Sequence, residues 1–228
     1  MKLSFPIYRL KRQAKLLARE KGIPLHLALD QIAHSQGFRA WSHLAESQSQ
    51  VVSAKALLEA CTPGELVLLA TRPGHGKTLL ALDLLAEAAG AGRAAYFFTL
   101  EYHPSELQTQ IGKGIHIDTS DGICADYIIG VMQDAPAGSV AAIDYLQLLD
   151  QKRQFPPLAD QVATLKRFAE ARGITILALS QIDRGFDAKD GPLPGFADIR
   201  LPNPVDLSLI SKACFLHDGQ ARLETLLN

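Results

Sequence analysis

A lysine and a threonine, Lys77 and Thr78, stand side by side at the start of an Ala- and Leu-rich helical pattern, directly after a loop that contains Gly74 and Gly76. The apolar run at 66–70 before this loop is typical of a buried parallel strand. Backbone N–H groups in such a loop converge on phosphate oxygens at the positive end of the helix. A lysine adds a cation for the β and γ phosphates, and a threonine hydroxyl can bind Mg²⁺. The stretch therefore predicts a site for Mg²⁺ and a nucleoside triphosphate such as ATP.

This loop departs at one position from the strict pattern G-x-x-x-x-G-K-[ST], because Thr71 stands where the first glycine belongs. The alternative interpretation is an ordinary turn followed by a solvated helix start. If the loop does bind phosphate, the predicted nucleotide contacts are Arg72, Pro73, Gly74, His75, Gly76, Lys77, Thr78 and Leu79.

Polar side chains follow three later apolar strands. Glu101 follows the stretch 94–100, Asp144 follows 140–143, and Ser180 and Gln181 follow 174–179. In an open parallel sheet, ligands bind at this end of the strands. We expect Asp144 to hold Mg²⁺ together with Thr78, Glu101 to polarise the attacking water, and Gln181 to sense the γ phosphate. The alternatives are a strand cap for Asp144, a helix-leading acid for Glu101 and a hydrogen-bonding loop residue for Gln181.

Strands and helices alternate beyond about residue 60, which predicts an α/β fold with a mostly parallel central sheet flanked by helices. Helical patterns at 7–21 and 25–35 come before a polar stretch around residues 47–50. We therefore place a small helical N-terminal domain at 1–48 and the α/β domain at 49–228. The front piece also resembles a short helical module of bacterial mobile-element proteins, through Gly37, Phe38, Trp41 and Leu44.

Composition excludes several classes of protein. Among 228 residues with a net charge of −1, the three cysteines and seven histidines are scattered and form no metal-ligand spacing. No apolar run approaches the ~20 residues that span a bilayer, so we expect no membrane partner and a cytoplasmic location. The front end is locally basic and carries Lys2, Arg9, Lys11, Arg12, Lys15, Arg19 and Lys21. These basic residues either contact phosphates or form the solvated side of a helix.

Five motifs resemble, in order, those of the RecA-like motor domain of DnaB-type replicative helicases. They are ATRPGHGKT, FTLE at 98–101, IDYLQLL at 143–149, LALSQIDR at 177–184 and ADIR at 197–200. The resemblance covers roughly residues 60–200, and the first glycine of the phosphate loop is commonly replaced in that family. It implies a RecA-like P-loop fold, a homo-oligomer, for example a ring, with ATP at subunit interfaces, and single-stranded DNA bound by the loops after Asp144 and Gln181. It also implies Mg-ATP hydrolysis by Glu101, Lys77, Thr78, Asp144 and Gln181.

The chain departs from the family pattern in three places. The segment between Glu101 and Asp144 is short, and the acidic stretch expected after 197–200 is replaced by 201–206. The sequence also ends at Asn228, before the Lys-x-Arg hairpin that reaches a neighbouring subunit's γ phosphate in the family. Without such a cation, we expect hydrolysis slower by several powers of ten.

The candidate DNA contacts are Lys152 and Arg153 in the first loop and Arg184 and Lys189 in the second. A solvated surface pair is the alternative for the first two, and nearby acids almost cancel the charge of the second loop. The sequence thus predicts an ATP-hydrolysing DnaB-like helicase or DNA-associated motor, with a replication or mobile-element protein as partner. The alternative is a non-motor, ATP-dependent switch that assembles and regulates a helicase without unwinding.

Overall fold

The computed structural model describes residues 7–42, 44, 53–72, 76–102, 114–150, 154–183, 186, 193–199, 205–217 and 220–226. Over these residues the helices are α1 (Ile7–Lys21), α2 (Leu25–Ser35), α3 (Ala54–Ala60), α4 (Lys77–Gly90), α5 (Ala125–Val131) and α6 (Leu158–Arg172). The strands are β1 (Leu66–Thr71), β2 (Ala95–Thr99), β3 (Ile115–Asp118), β4 (Val140–Asp144), β5 (Thr175–Gln181), β6 (Lys212–His217) and β7 (Gln220–Thr225). Short 3-10 helices lie at Leu146–Asp150, Phe196–Asp198 and Leu207–Leu209.

The described strands form one sheet in the order β3-β2-β4-β5-β1-β6-β7. Every neighbouring pair is parallel except the β6–β7 pair, which is antiparallel. This arrangement confirms the predicted mostly parallel sheet flanked by helices. The predicted helices at 7–21 and 25–35 coincide with α1 and α2, whereas β7 was missed. Pro104 and Ser105 also predict a helix that runs to about Ile111, but this segment lies outside the described residues.

Strand β1 is buried along its whole length because helices cover both faces of the sheet. Leu66 and Leu68 point into a core shared with α5 and α6. Val67 and Leu69 point into a second core shared with α3 and α4. The continuous apolar run that predicted a parallel strand is the direct result of this two-sided burial.

Helices α1 and α2 pack on each other around a third, small core of Leu10, Ala33, Phe38 and Leu44. The backbone N–H of Trp41 donates to Asp30 Oδ1 at 2.8 Å, which ties the segment after α2 back onto that helix. This core shares no buried residue with the two cores of the sheet, and the separate N-terminal domain stays a prediction. The boundary at residue 48 lies outside the described residues and stays a prediction.

None of the helices in the described part of the chain combines the length and the apolar character needed to cross a bilayer.

Gln161 of α6 is buried, and its side chain forms hydrogen bonds to three segments of the chain. Its Oε1 accepts a hydrogen bond from the N–H of Ala125 at 2.9 Å. Its Nε2 donates to the carbonyls of Leu149 at 2.5 Å and Pro156 at 2.7 Å. One side chain therefore joins the start of α5, the 3-10 helix after β4, and the segment that leads into α6.

We predict that Gln161→Leu lowers the free energy of unfolding by roughly 2–4 kcal/mol, because it leaves one buried N–H and two carbonyls without their partner. Urea unfolding followed by circular dichroism measures the loss. The matched control is Gln133→Leu at an exposed position, expected to stay within about 0.5 kcal/mol of the wild type. Equal unfolding midpoints for the two variants would contradict the bridging role of Gln161.

Cys61 and Cys214 are free, buried thiols. Burial raises the pKa of Cys61 to about 11, and the nearby Glu65 carboxylate adds to the effect. Burial also raises the pKa of Cys214 to about 12. Both thiols therefore stay neutral in the folded chain at pH values where the unfolded chain releases their protons.

The stability that these thiols contribute is complete below pH 9 and declines as the pH rises toward 11–12, because the folded state then binds more protons than the unfolded state. We expect the urea midpoint to fall across this window and to fall less steeply in the double variant Cys61→Ala/Cys214→Ala. Unfolding curves recorded at several pH values above 8 provide the comparison. Parallel pH profiles for the two proteins would refute it.

Candidate active site

Helix α4 begins where the chain leaves Gly76 in the left-handed conformation, with φ 84° and ψ 17°. A residue with a side chain would be strained at this φ, which accounts for the glycine. No acidic residue lies in the first turn of α4 and no side chain caps it. The first N–H groups of the helix and its positive end are therefore open to an anion.

Lys77 and Thr78 both bind the carboxylate of Asp144. Lys77 Nζ lies 2.5 Å from Asp144 Oδ1, and Thr78 Oγ1 donates to Asp144 Oδ2 at 2.7 Å. Asp144 is completely buried at the end of β4, and Lys77 is only 6% exposed. The structure therefore brings the predicted phosphate-binding cation and the two predicted Mg²⁺ ligands into one buried cluster.

The donor set of this cluster fits Mg²⁺, which prefers carboxylate and hydroxyl oxygens and usually keeps waters or phosphates as further ligands. Thr78 and Asp144 supply two such oxygens side by side. No group of three or more His, Cys, Asp or Glu side chains that could hold a metal occurs within the described residues. An ion held by Thr78 and Asp144 would thus draw its remaining ligands from a nucleotide and from water.

Glu101 lies on the open side of the cluster, with Oε2 3.6 Å from Lys77 Nζ and its side chain 34% exposed. Its backbone N–H donates to Thr99 Oγ1 at 3.1 Å. Thr99 is fully buried and stands directly opposite Asp144 in the pairing of β2 with β4. Thr99 therefore fixes the chain at the point where Glu101 leaves the sheet.

A cavity of about 310 Å³ opens beside these groups. It is lined by Gly76, Lys77, Thr78, Leu79, Glu101, Tyr102 and Gln181. Six of these seven were predicted as site residues, so the structure gathers them at one edge of the sheet. Their role in binding a nucleotide stays a prediction.

Sequence reasoning missed three residues of the site: Thr99, Tyr102 and Tyr145. Tyr102 lines the cavity, and the Tyr145 ring lies 5.6 Å from Lys77 Nζ, within range of a cation–π contact. Each is next to, or two places from, a polar residue at a strand end that was predicted. That adjacency is the signal that would have identified them.

Other predicted residues are not brought into the cavity. Arg72 is described but does not line it. Outside the described residues lie Pro73, Gly74, His75, Lys152, Arg153, Arg184 and Lys189. Thr71, the residue in place of the expected glycine, is the buried last residue of β1 and pairs with Gln181. Its side chain is therefore accommodated in the sheet rather than in the loop.

The chain that leaves β5 at Gln181 comes back to the end of this strand at residues 198–199. Ile182 and Ile199 form an antiparallel bridge, and the N–H of Asp183 donates to the carbonyl of Asp198 at 2.8 Å. Phe196 in the same segment packs edge-on against Phe215 of β6 at 5.2 Å. The base of this loop is thus held both at the end of β5 and against β6.

The sheet order and the site at its carboxyl edge define a RecA-like α/β fold. A solved ATPase domain superposes with a TM-score of 0.57 at 21% identity, covering 69% of this chain and 70% of that one. A DnaB-like replicative helicase, solved in a study of its interactions with primase, superposes with a TM-score of 0.58 at 19% identity, covering 92% and 66% of the two chains. At these identities the likeness establishes the fold.

In sequence, the chain is homologous to replicative DNA helicases of the DnaB type. It is 26% identical over 186 residues to DnaB of Leifsonia xyli subsp. xyli (strain CTCB07), covering 63% of this chain and 40% of that protein. It is 28% identical over 205 residues to DnaB of Treponema pallidum (strain Nichols), covering 72% and 46%. The chain therefore spans less than half the length of these relatives. No protein-family model matches it. The resemblance inferred from the motifs is confirmed.

We predict that Lys77→Met lowers the free energy of unfolding by roughly 3 kcal/mol, because it leaves the buried Asp144 carboxylate with only the Thr78 hydroxyl. The double variant Lys77→Met/Asp144→Leu should recover at least about 1 kcal/mol of that loss, since an apolar pair replaces the uncompensated charge. Urea unfolding of the single and double variants gives the coupling energy. Lys55→Met, at an exposed position on α3, is the control. Strictly additive losses would contradict a buried ion pair.

Proposed function

We propose that this chain is an ATP-binding and ATP-hydrolysing motor domain of the DnaB type that requires Mg²⁺. The observation that carries the proposal is the cluster in which Lys77 and Thr78 share the buried carboxylate of Asp144 beside a cavity that Glu101 and Gln181 also reach. The homology to DnaB helicases supports the same activity.

Binding of the triphosphate would use the start of α4. The open N–H groups of its first turn and the Lys77 ammonium together offer positive charge to the phosphates. Lys77 would exchange its contact with Asp144 for phosphate oxygens. Thr78 and Asp144 would then hold Mg²⁺, which neutralises charge on the β and γ phosphates when bound. Leu79, exposed in the first turn of α4, lies at the rim of the same cavity.

Glu101 is the group best placed to activate water, since its carboxylate is partly exposed and lies at the cavity. It would accept a proton from water as the water oxygen bonds to the γ phosphorus and the bond from that phosphorus to the bridging oxygen breaks, giving ADP and phosphate. The Thr99 hydroxyl holds the backbone of Glu101. Gln181 would contact the γ phosphate and transmit its presence to the loop closed by Ile182 and Ile199.

We further propose a cytoplasmic homo-oligomer that binds single-stranded DNA through the loops after Asp144 and Gln181. The candidate contacts there are Lys152, Arg153, Arg184 and Lys189. Support comes from the relatives, which are named replicative DNA helicases. One structural neighbour was solved in a study of its interactions with primase, so a replication protein is a reasonable partner for this chain as well. A mobile-element protein is the second candidate partner.

We expect Glu101→Gln to reduce ATP turnover about 10²–10⁴-fold while ATP binding is retained, because the amide cannot accept the proton of water. Turnover is measured with and without single-stranded DNA, which should stimulate the wild type, and binding is measured with a fluorescent ATP analogue. The control is Glu87→Gln on the exposed side of α4, which should match the wild type. Lys77→Ala should lose binding itself.

Two outcomes would contradict the motor. Tight ATP binding with negligible turnover and no response to DNA would favour a non-motor switch that assembles and regulates a helicase. Failure to bind any nucleoside triphosphate would contradict both the motor and the ATP-dependent switch. Light scattering on the same samples tests assembly. A particle mass that does not rise when ATP is added would contradict the proposed ATP-dependent oligomer.

A further inference from the structure

One side of α1 carries three exposed cations, and the exposed Glu20, four residues after Leu16, lies at its edge. Arg12, Lys15 and Arg19 are exposed and lie three and four residues apart, which places them on one side of the helix together with the exposed Leu16. Leu10 and Ala14 lie on the opposite side and are buried. We call the side formed by Arg12, Lys15, Leu16 and Arg19 the basic face.

The charge around the basic face is strongly asymmetric. Residues 7–44 contain seven Lys and Arg and only two acids, a formal charge of +5, in a chain whose total is −1. Of the two acids, Asp30 accepts the hydrogen bond from the N–H of Trp41. Across the described ranges, no ion pair engages Arg12, Lys15 or Arg19. Their positive charge is available to an external polyanion.

The dimensions of the face fit a phosphate backbone. Arg19 lies seven positions after Arg12, so the cations extend over about 10 Å of helix. Successive phosphates of one DNA strand advance about 3.4 Å along the duplex axis, so this length matches about three of them. Phosphate contacts carry no sequence information, so binding through these cations would be independent of sequence.

A membrane surface is the competing partner, because Leu16, Leu25 and Leu27 are exposed. Interfacial helices, however, bury a broad apolar side in the lipid. In α1 that side is occupied, since Leu10 and Ala14 face the packing with α2. Leu16 is the one apolar residue of the basic face, which favours a nucleic acid over a bilayer.

We propose that the basic face binds the phosphate backbone of a nucleic acid, without sequence preference and without ATP. It is a contact separate from the loops of the motor domain, and duplex DNA can occupy it. The N-terminal helices thereby hold the chain on DNA whether or not the nucleotide site is filled.

The test uses the full chain without nucleotide and a fluorescent duplex of about 30 base pairs. Lys15→Gln/Arg19→Gln should weaken binding roughly tenfold near 0.1 M salt and lower the slope of log K against log [salt] by about 2, since each lost phosphate contact removes nearly one released counterion. The matched control, Lys55→Gln/Arg167→Gln, removes the same two residue types from exposed positions on α3 and α6 and should bind like the wild type. The charge-preserving variant Lys15→Arg/Arg19→Lys should do so as well.

Unchanged duplex binding in the Gln variant, or an equal loss of binding in the control, would overturn the proposal. So would a Gln variant that no longer floats with phosphatidylserine vesicles, as the wild type does, but still binds the duplex. The same measurements in the Lys77→Met/Asp144→Leu background, whose apolar pair recovers part of the stability lost with Lys77, separate this proposal from the ATPase. If the basic face binds DNA, its effect survives there although nucleotide binding is lost. Loss of the difference between the Gln variant and its control in that background would also count against a separate site.

Discussion

The carboxylate of Asp144, buried without access to water, is the constraint on which the candidate site depends. A buried charge is tolerated only when it is paired and hydrogen-bonded. Lys77 and Thr78 satisfy one oxygen each, so the first turn of α4 is fastened to the end of β4. Asp144 stands at the carboxyl end of β4, and β5 lies between β4 and β1. The start of α4 therefore lies over the carboxyl edge of the sheet, where the cavity is found.

The parallel sheet explains why residues distant in sequence meet at that edge. Asp144 lies 67 positions from Lys77, yet β4 and β1 both end at the same side and flank β5. Gln181 ends β5 between them, and Glu101 follows β2 on the far side of β4. Two apolar cores, one on each face, hold the strands in this order. The same arrangement relates the chain to RecA-like ATPase domains and accommodates the proposed chemistry.

Charge is distributed differently in the two parts of the chain. At the candidate site, Lys77 is balanced by Asp144 and Glu101, so the proposed triphosphate would have to replace one of these partners. On α1, Arg12, Lys15 and Arg19 face solvent without acidic partners among the described residues. The proposed DNA contact on the basic face would therefore depend on salt and not on nucleotide, whereas the proposed contact through the motor loops would depend on both.

Local pattern determined most of the elements, because burial on both faces leaves continuous apolar runs and helices leave their own periodicity. It also indicated Glu101, Asp144 and Gln181, since each follows an apolar run, and Lys77 and Thr78, since they follow the glycine-containing loop. Strand β7 was missed because 220–225 mixes polar and apolar residues, as an antiparallel edge strand does. Only the tertiary structure paired both Asp144 oxygens, placed Thr99 behind Glu101 and gave Gln161 its three partners. Those contacts join segments that are far apart in sequence or depend on which strands are neighbours, and no local periodicity encodes that choice.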